Sequence, residues 1–252
     1  MANYDLGIFV GHGTSEKTGK YDPGACANGY KEYELAKEIA ADLRDNLKAS
    51  GLNVHFDENN YNDNDIAGNT YRLKFVFSFH LNAGGGSGAE AIVPLNESYF
   101  NLEQKILNYL ASIGLQNRGV KSRNYDTEAW SQRTTGIKLS GKDYYGEIRN
   151  AWNNGVSLSI IELGFIDNKK DLDIIIKNKK QISENIAKLI CEYDNRAFKS
   201  SNSAAVTPKE PEGEIYYRVI AGSYKDINNA KNVQKTLAAK GFASFIEAYK
   251  KK

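Results

Sequence analysis

Apolar residues follow two different spacings along the first 198 residues of the chain. Four short runs are almost continuously apolar and predict buried strands at residues 6–10, 52–56, 75–81 and 158–163. Leucine and isoleucine recur every three or four residues in three longer stretches, which predict helices at residues 34–50, 101–114 and 182–193. Continuous apolar strands separated by helices are typical of sheets covered on both sides. We therefore predict an α/β fold with a twisted, mostly parallel sheet flanked by helices on both faces.

A change in composition divides the chain near its C-terminal end. Residues 199–214 contain two of the four prolines among Ser, Ala, Lys and Glu, and this composition predicts a flexible, extended linker. Residues 215–252 predict a small βαβ module, whose helix is capped by Asp226 or Asn228. This module has eight Lys/Arg and two Asp/Glu, a net charge of +6, so the preceding residues carry −4 of the chain's total of +2.

Composition and charge narrow the functional classes. The chain has 252 residues, 41% of them hydrophobic and 25% charged, which is ordinary for a globular protein. No run approaches the roughly 18 apolar residues of a membrane span. The basic residues are too sparse to favour nucleic acid as a partner. The N-terminal residues show neither a basic region nor a long apolar segment, so we expect synthesis in the cytoplasm without a secretory signal.

Ionisable residues follow or interrupt several of the predicted strands. His12 follows LGIFV, His80 follows VFSF, and Glu162 interrupts SLSIIELGF. Ligands of open α/β sheets bind where strands end, so these residues, together with Glu32 before the first helix, are candidates for chemistry. A single histidine near a core is more often structural, which is how we interpret His55.

A zinc site would account for these four candidates together. Two imidazole nitrogens and a carboxylate oxygen fill three tetrahedral positions and leave the fourth open to water. The metal lowers the pKa of that water to roughly 7, and a further carboxylate carries the proton to the leaving amine. The spacing differs from the HExxH motif of helical zinc peptidases, so the residues alone leave the type of zinc site open.

Two other chemistries fit less well. The glycine run at residues 84–88 has neither the lysine nor the following helix of a phosphate-binding loop, and it predicts a turn or a mobile rim. Acyl transfer by Cys26 has no ordered histidine and acid to support it. Cys26 and Cys191 instead predict free thiols.

Four ordered motifs resemble the zinc-dependent N-acetylmuramoyl-L-alanine amidases of bacterial autolysins and phage endolysins. They are VGHG at 10–13, DPGACANGYKE at 22–32, SFHLNA at 78–83 and SIIELGFIDN at 159–168. The resemblance implies that residues 1–198 form a catalytic domain that hydrolyses peptidoglycan. The bond cleaved would be the amide between N-acetylmuramic acid and the L-alanine of the stem peptide.

The resemblance also implies residue roles. Zinc would be held by His12, Glu32 and His80, and Glu162 would be the catalytic base. Glu34 competes with Glu32 as the carboxylate ligand. The glycine three residues before Glu32 matches the family, whereas Glu34 suits the helix start, where the dipole favours an anion.

Substrate contacts are predicted less specifically. Asn82, Arg118 and Tyr125 are candidates to touch glycan or peptide, and each also fits a plain loop residue. The segment 124–155 does not resemble the family.

The tail motifs YRVIAGSY, NAKNVQKTLAAKG and FASFI resemble the opening half of a SPOR domain, a family that binds peptidoglycan glycan strands lacking stem peptides. The resemblance implies glycan docking through Tyr216, Tyr217 or Tyr224. Attraction to anionic wall polymers and a merely solubilising role are the alternatives. Because a module of fewer than 40 residues buries little surface, we expect it to pair with a second copy as a homodimer, or to dock on the catalytic domain.

Three hypotheses for the whole chain follow. The missing secretory signal favours a phage endolysin, released through a membrane lesion, over a secreted autolysin. Another hydrolase is the first alternative: a zinc peptidase or deacetylase acting on another cell-wall bond. A non-catalytic wall-binding protein on an amidase-like scaffold is the second, and the buried ionisable residues argue against it because a scaffold without activity has no need of them.

Overall fold

Strands and helices alternate through the part of the chain that the computed structural model describes, which is residues 2–59, 66, 69–133, 140–201, 224–240 and 246. The strands are β1 (Asn3–Tyr4), β2 (Leu6–Val10), β3 (Gly13–Thr14), β4 (Tyr21–Asp22), β5 (Cys26–Ala27), β6 (Tyr30–Lys31), β7 (Val54–Asp57), β8 (Thr70–Tyr71), β9 (Phe75–Asn82), β10 (Ala89–Ile92), β11 (Asn117–Arg123), β12 (Trp130–Gln132) and β13 (Ser157–Phe165). The helices are α1 (Glu32–Ala49), α2 (Asn101–Ser112), α3 (Gly146–Asn153), α4 (Lys169–Tyr193) and α5 (Ile227–Ala239).

Seven of these strands form one sheet in the order β12-β11-β10-β13-β9-β2-β7. The pairings of β10 with β11, β13 with β9, β9 with β2 and β2 with β7 are parallel. The pairings of β10 with β13 and of β11 with β12 are antiparallel. The sheet is therefore mixed but mostly parallel, which confirms the predicted fold class.

Side chains along each central strand alternate between two cores. On one face, α1, α2 and α4 cover a core that includes Phe77 and Phe79 of β9. On the other face, the short helix α3 covers a smaller core that includes Val76 of β9 and Ile160 of β13. Each fully buried side chain of this size stabilises the fold by roughly 1.5–3 kcal/mol. Both faces thus carry helices, as predicted.

Several elements were not predicted. The strand β11 reads NRGVKSR and buries only Val120 and Ser122, so it lacks an apolar pattern. The helix α4 begins at Lys169, well before the predicted start, because the side chain of Asn168 caps it by accepting hydrogen bonds from the N–H groups of Lys170 and Asp171 at 3.1 and 3.3 Å. Caps of this kind act through one side chain and need no hydrophobic repeat.

The chain divides into two units, Met1–Ala204 and Ala205–Lys252, and the division lies inside the segment predicted as a linker. In the second unit, Asp226 caps α5 by accepting a hydrogen bond from the N–H of Asn228 at 2.7 Å. The predicted apolar stripe of this helix is half-buried and consists of Ala230, Val233 and Leu237. The strands predicted on either side, with Tyr216 and Tyr217, lie outside the described residues. Within the described part of the chain, no helix is long and apolar enough to cross a bilayer.

Candidate metal centre

Two neighbouring strands and one helix bring His12, Glu32 and His80 together. His80 belongs to β9, and His12 lies two residues beyond the end of the adjacent strand β2. The backbone of His12 is left-handed, with φ 66°, a conformation that costs a non-glycine residue about 1–3 kcal/mol and is concentrated at functional sites. Glu32 is the first residue of α1, so the helix start carries its carboxylate to the histidines.

The carboxylate of Glu32 lies between the two imidazole rings. Its Oε1 is 3.1 Å from Nε2 of His12 and 3.0 Å from Nδ1 of His80. The three residues can each offer one atom such that all three atoms lie within 4.8 Å of one another. Backbone N–H groups of Leu81 and Ala25 donate hydrogen bonds to the carboxylate at 3.1 and 2.9 Å, which fixes its orientation. Two imidazole nitrogens and one carboxylate oxygen are a donor set that suits zinc.

Two glycines of the sequence motifs leave room for this arrangement. A Cβ atom at Gly11 would lie 1.9 Å from Cε1 of His80. A Cβ atom at Gly24 would lie 2.7 Å from both Oε2 of Glu32 and Cδ2 of His12, and Gly24 also has a φ of +68°. A larger residue at either position would displace a candidate ligand.

The electrostatics of the cluster favour a positive charge at its centre. Burial acts to raise the pKa of Glu32, but hydrogen bonds from His12 and His80 outweigh it and hold that pKa well below its usual range. Burial acts to lower the pKa of His12, yet the hydrogen bond and charge of Glu32 raise it overall. The pKa of His80 is also raised, because the carboxylates of Glu147 and Glu32 outweigh its burial. A site that attracts protons in this way fits a metal cation as well.

Glu162 stands beside the cluster on β13. It is paired in register with His80 on β9, so both side chains project from the α3 face of the sheet. Its Oε2 atom is buried and has no hydrogen-bond partner among the described residues. Burial raises the pKa of Glu162 to about 7, with an opposing effect of His80 and a further increase from Glu32. A carboxylate that titrates near neutral pH is suited to accept and return a proton.

Glu34, the competing carboxylate ligand, and His55, which we interpreted as structural, do not belong to the cluster. Glu34 is exposed and pairs with Lys31 at 2.7 Å, so it does not join the histidines. His55 stacks on Tyr4, with ring centroids 4.6 Å apart, and its Nδ1 is 2.6 Å from the hydroxyl of Tyr71.

Two of the candidate substrate-binding residues lie around a buried carboxylate next to the cluster. Glu90 of β10 pairs in register with Glu162. Its Oε1 accepts a hydrogen bond from Asn82 at 3.0 Å, and its Oε2 accepts from Arg118 at 2.6 Å and from Lys121 at 2.5 Å. Asn82 and Arg118 are therefore neighbours of the candidate base, whereas sequence reasoning missed Glu90 and Lys121. The signal for Glu90 was available, because it interrupts an apolar run as Glu162 does.

Two other candidate substrate-binding residues, Tyr125 and Tyr224, are exposed. The ring of Tyr125 is 53% exposed and contacts Tyr144 and Arg149. Tyr224 is exposed at the start of the described part of the second unit.

Sequence reasoning also missed two carboxylates that lie behind the histidines. Asp22 Oδ2 is 2.9 Å from Nδ1 of His12, and Glu147 Oε1 is 3.4 Å from Nε2 of His80. Asp22 lies within the motif DPGACANGYKE, where its acidic side chain was a usable signal. Glu147 lies on α3, in the segment 124–155 that does not resemble the family, and no sequence pattern distinguishes it from an ordinary surface glutamate.

The glycine run after β9 is a turn that two aspartates tether. Asp167 accepts hydrogen bonds from the N–H groups of Gly84 and Gly85, each at 2.8 Å. Asp171 accepts one from Gly88 at 2.6 Å. The run is therefore attached to the beginning of α4, and the carboxylates that hold it argue against a phosphate-binding loop.

Comparison with known proteins decides the family. A family model described as N-acetylmuramoyl-L-alanine amidase matches residues 7–192. The chain belongs to the N-acetylmuramoyl-L-alanine amidase family. A model described as SPOR domain matches residues 195–251 of this amidase, beginning before the predicted boundary at 215. Family membership confirms the predicted enzyme class, and the second match supports a peptidoglycan-binding tail.

Individual relatives of the amidase are distant. The sporulation-specific N-acetylmuramoyl-L-alanine amidase of Bacillus subtilis is 25% identical over 254 residues, which cover 95% of this chain and 83% of that protein. Cwp6 from Clostridium difficile has a TM-score of 0.56 at 24% identity over 75% of this chain, but this chain spans only 29% of the Cwp6 chain. The catalytic domain of the CD27L endolysin, which targets Clostridia difficile, has a TM-score of 0.52 at 22% identity, covering 75% of this chain and 97% of that one. At these identities the solved structures show a shared fold alone.

Proposed function

We propose that the chain hydrolyses the amide bond between N-acetylmuramic acid and the L-alanine of the peptidoglycan stem peptide, with zinc held by His12, Glu32 and His80. The observation that carries the proposal is the position of Glu162 beside this three-donor cluster, on the next strand, with an Oε2 atom that is buried and has no hydrogen-bond partner among the described residues. A structural core has no use for such a group, because an unpaired buried polar atom costs about 1–3 kcal/mol.

The chain's own residues divide the work of the reaction. Zinc, when bound, would polarise the scissile carbonyl and an attacking water. Glu162 accepts a proton from that water as its oxygen bonds to the carbonyl carbon. The same carboxyl then donates the proton to the alanine nitrogen as the C–N bond breaks, so Glu162 returns to its ionised form. Glu32 keeps its charge throughout, because its two histidine neighbours hold its pKa low.

Two cations near Glu162 support a binding position for the carboxylates of the stem peptide. Arg118 is partly exposed, with 31% of its side chain accessible, and Lys121 lies beside it on Glu90. One carboxylate therefore faces two cations, which leaves a positive charge next to Glu162. Carboxylates of a stem peptide would bind there, and Asn82 completes the same group. Tyr125 stays a prediction.

The decisive experiment identifies the new end groups after digestion of purified cell walls. We expect new amino termini on L-alanine, no new reducing sugars, and loss of release after treatment with a zinc chelator followed by recovery with added zinc. Reducing ends would contradict the proposal in favour of a glycosidase. Amino termini or acetate from another bond would favour the zinc peptidase or deacetylase. Release of nothing would favour the non-catalytic wall-binding protein.

For the tail, we propose a flexible linker at 199–214 and a truncated SPOR-like module at 215–252 that binds the glycan strand. The match to a SPOR domain and the net charge of +6 support binding to wall polymer, through glycan or through anionic polymers. Deleting residues 215–252 should weaken sedimentation of the protein with cell walls, while the rate on a small soluble substrate stays unchanged. Unchanged sedimentation would assign wall binding to the first unit. The proposed homodimer through this module predicts that the full chain sediments as a dimer and the deletion variant as a monomer.

The similarity to a curated amidase supports one cellular setting for this chain. Alignment with a sporulation-specific amidase over nearly the whole chain supports a role in remodelling the wall of the producing cell. Release by phage lysis is the alternative setting. Lysis of intact cells by added protein after their membranes are permeabilised, compared with digestion of purified spore wall, separates the two settings.

A further inference from the structure

The ring of His80 presents its two nitrogens to two different carboxylates. Nδ1 is 3.0 Å from Oε1 of Glu32. It therefore faces the other candidate metal ligands, which together with His80 we call the metal-ligand cluster (His12, Glu32 and His80). Nε2, on the other edge of the ring, is buried and has no hydrogen bond within the described ranges. The Oε1 atom of Glu147 lies 3.4 Å from it, slightly too far for a good hydrogen bond. His80 is therefore bracketed by carboxylates on both edges.

A metal bound at Nδ1 of His80 would leave a proton on Nε2, and this proton needs a hydrogen-bond acceptor. A neutral imidazole carries one proton, so a ring that gives the lone pair of Nδ1 to a metal holds its proton on Nε2. That N–H is buried, and a buried donor without an acceptor costs about 1–3 kcal/mol. An approach of roughly half an ångström would bring Glu147 to the usual hydrogen-bond distance of about 2.9 Å.

We propose that Glu147 is a positioning residue of the metal centre: it accepts a hydrogen bond from Nε2–H of His80 and so directs Nδ1 toward the metal. The inference rests on the proposed function for the identity of the ligands. Glu147 itself is not a ligand in this arrangement, because it lies across the imidazole ring from Glu32. Outer carboxylates of this kind fix the tautomer and orientation of a ligating histidine.

The other histidine shows the same arrangement with the nitrogens exchanged. His12 faces Glu32 through Nε2 at 3.1 Å, and its Nδ1 lies 2.9 Å from Oδ2 of Asp22. Each candidate histidine ligand thus has one carboxylate on the metal side and another behind it. The two outer carboxylates come from unrelated parts of the chain, the strand β4 and the first turn of α3.

The helix α3 is suited to hold Glu147 in place. Its residues Ile148 and Ala151 are fully buried in the smaller core, at 1% and 0% exposure, so the helix is fixed against β13. The side chain of Glu147 is 17% exposed, and it leaves this anchored helix toward His80. A rigid element of this kind can orient a ligand more reliably than a loop.

The test measures zinc binding and the His80 ring, not hydrolysis. The full chain carrying Glu147→Ala should bind zinc about 10–100-fold more weakly than the unmodified chain in competition with a chromophoric chelator. Glu147→Gln keeps an acceptor oxygen, so its zinc affinity should fall less than that of Glu147→Ala. Glu192→Gln removes an exposed carboxylate on α4 and is the matched control, with unchanged affinity expected.

Nitrogen NMR of the zinc-loaded chain gives an independent readout, because the chain has only three histidines. We expect Nε2–H of His80 to exchange slowly with water in the unmodified chain and in Glu147→Gln, and rapidly in Glu147→Ala. Unchanged affinity and unchanged exchange in Glu147→Ala would overturn the inference, as would a proton on Nδ1 of His80. If Glu147→Ala fails to fold, Glu147→Met replaces it, because methionine keeps the length of the side chain without a carboxylate: wild-type affinity and slow exchange at Nε2–H of His80 in Glu147→Met would also overturn the inference. A chain that binds zinc in this way yet releases nothing from cell walls would contradict the proposed function and leave this inference standing.

Discussion

A glutamate lies against each face of the strand β13. On the α3 face, Glu162 of the strand itself lies beside His80 and the metal-ligand cluster. On the opposite face, Glu103 of α2 accepts a hydrogen bond from the hydroxyl of Ser159 at 2.7 Å, within the larger core. Burial is the first cause of a raised pKa at both glutamates, and it raises each to about 7.

The two glutamates show that a perturbed pKa does not by itself mark a catalytic group. Perturbed carboxylates are concentrated at active sites, but buried structural pairs produce the same shift. The difference lies in the partners. Glu103 has a hydroxyl donor fitted to it, whereas Glu162 has a buried oxygen without a described partner and three ionisable neighbours that could hold a metal.

The largest expected difference is in activity. Glu162→Gln should reduce the rate of amide hydrolysis about 10²–10⁴-fold, because the amide cannot accept the proton of the attacking water. The matched change Glu103→Gln, on the other face of the same strand, should leave the rate unchanged. Both rates are measured as release of L-alanine amino termini from cell walls. A variant at 162 that retains full rate, or equal losses in the two variants, would remove the distinction between the faces.

The second difference is in stability as a function of pH. The folded-state pKa of Glu103 is raised above the value of 4.5 for an unperturbed glutamate, so the folded chain holds its proton longer than the unfolded chain. The contribution of Glu103 to the free energy of unfolding should therefore fall as pH rises from about 4.5 to about 7, by an amount on the order of 3 kcal/mol. Glu103→Gln has no proton to lose at this position and should be more stable than the unmodified chain at pH 8, with a much smaller gain at pH 4.

Chemical denaturation at the two pH values measures this change. An equal difference at pH 4 and pH 8 would mean that the gain has another origin than the ionisation of Glu103.

A smaller effect on stability is expected when the hydroxyl of Ser159, which donates a hydrogen bond to Glu103, is removed. Ser159→Ala removes the donor and should destabilise the chain by about 1–3 kcal/mol at pH 8, where the carboxylate is charged. The loss should be smaller at pH 5, because hydrogen bonds to ionised groups are the stronger ones. In a double-mutant cycle with Glu103→Gln, the two changes should not be additive, since they share one contact. Strict additivity would show that the hydroxyl and the carboxylate act separately.

Much of the candidate site on the α3 face of the sheet could be predicted because it follows strong local patterns. The strands β2 and β9 are continuous apolar runs, and residues at the ends of neighbouring parallel strands lie close together. His12 and His80 could therefore be placed near each other without coordinates. Glu162 and Glu90 interrupt apolar runs in the same way, yet only Glu162 lies in a motif that resembled a family, and Glu90 was missed.

The remaining parts depend on tertiary contacts that leave no local pattern. The helix α3 has eight residues and only two buried ones, Ile148 and Ala151, so its periodicity is too short to distinguish from a loop. The role of Glu147 depends on that helix packing beside β13. The same holds for Glu103, whose partner Ser159 lies 56 residues away in the sequence.

The smallest expected effect tests whether neighbouring charges, in addition to burial, set the pKa of Glu162. The carboxylate of Glu90 acts to raise that pKa and also neutralises Arg118 and Lys121. Glu90→Gln removes one negative neighbour and frees two positive ones, so the pKa of Glu162 should fall. Because Glu162 must be ionised to accept a proton, the acidic limb of kcat/KM against pH should move to lower pH, by less than about one unit. Glu192→Gln should leave the limb in place. An unmoved limb in Glu90→Gln would mean that Glu90 and its two cations do not act on this pKa, and the comparison of Glu162 with Glu103 would then depend on the other neighbours of Glu162, which are His80, Glu32 and Glu147.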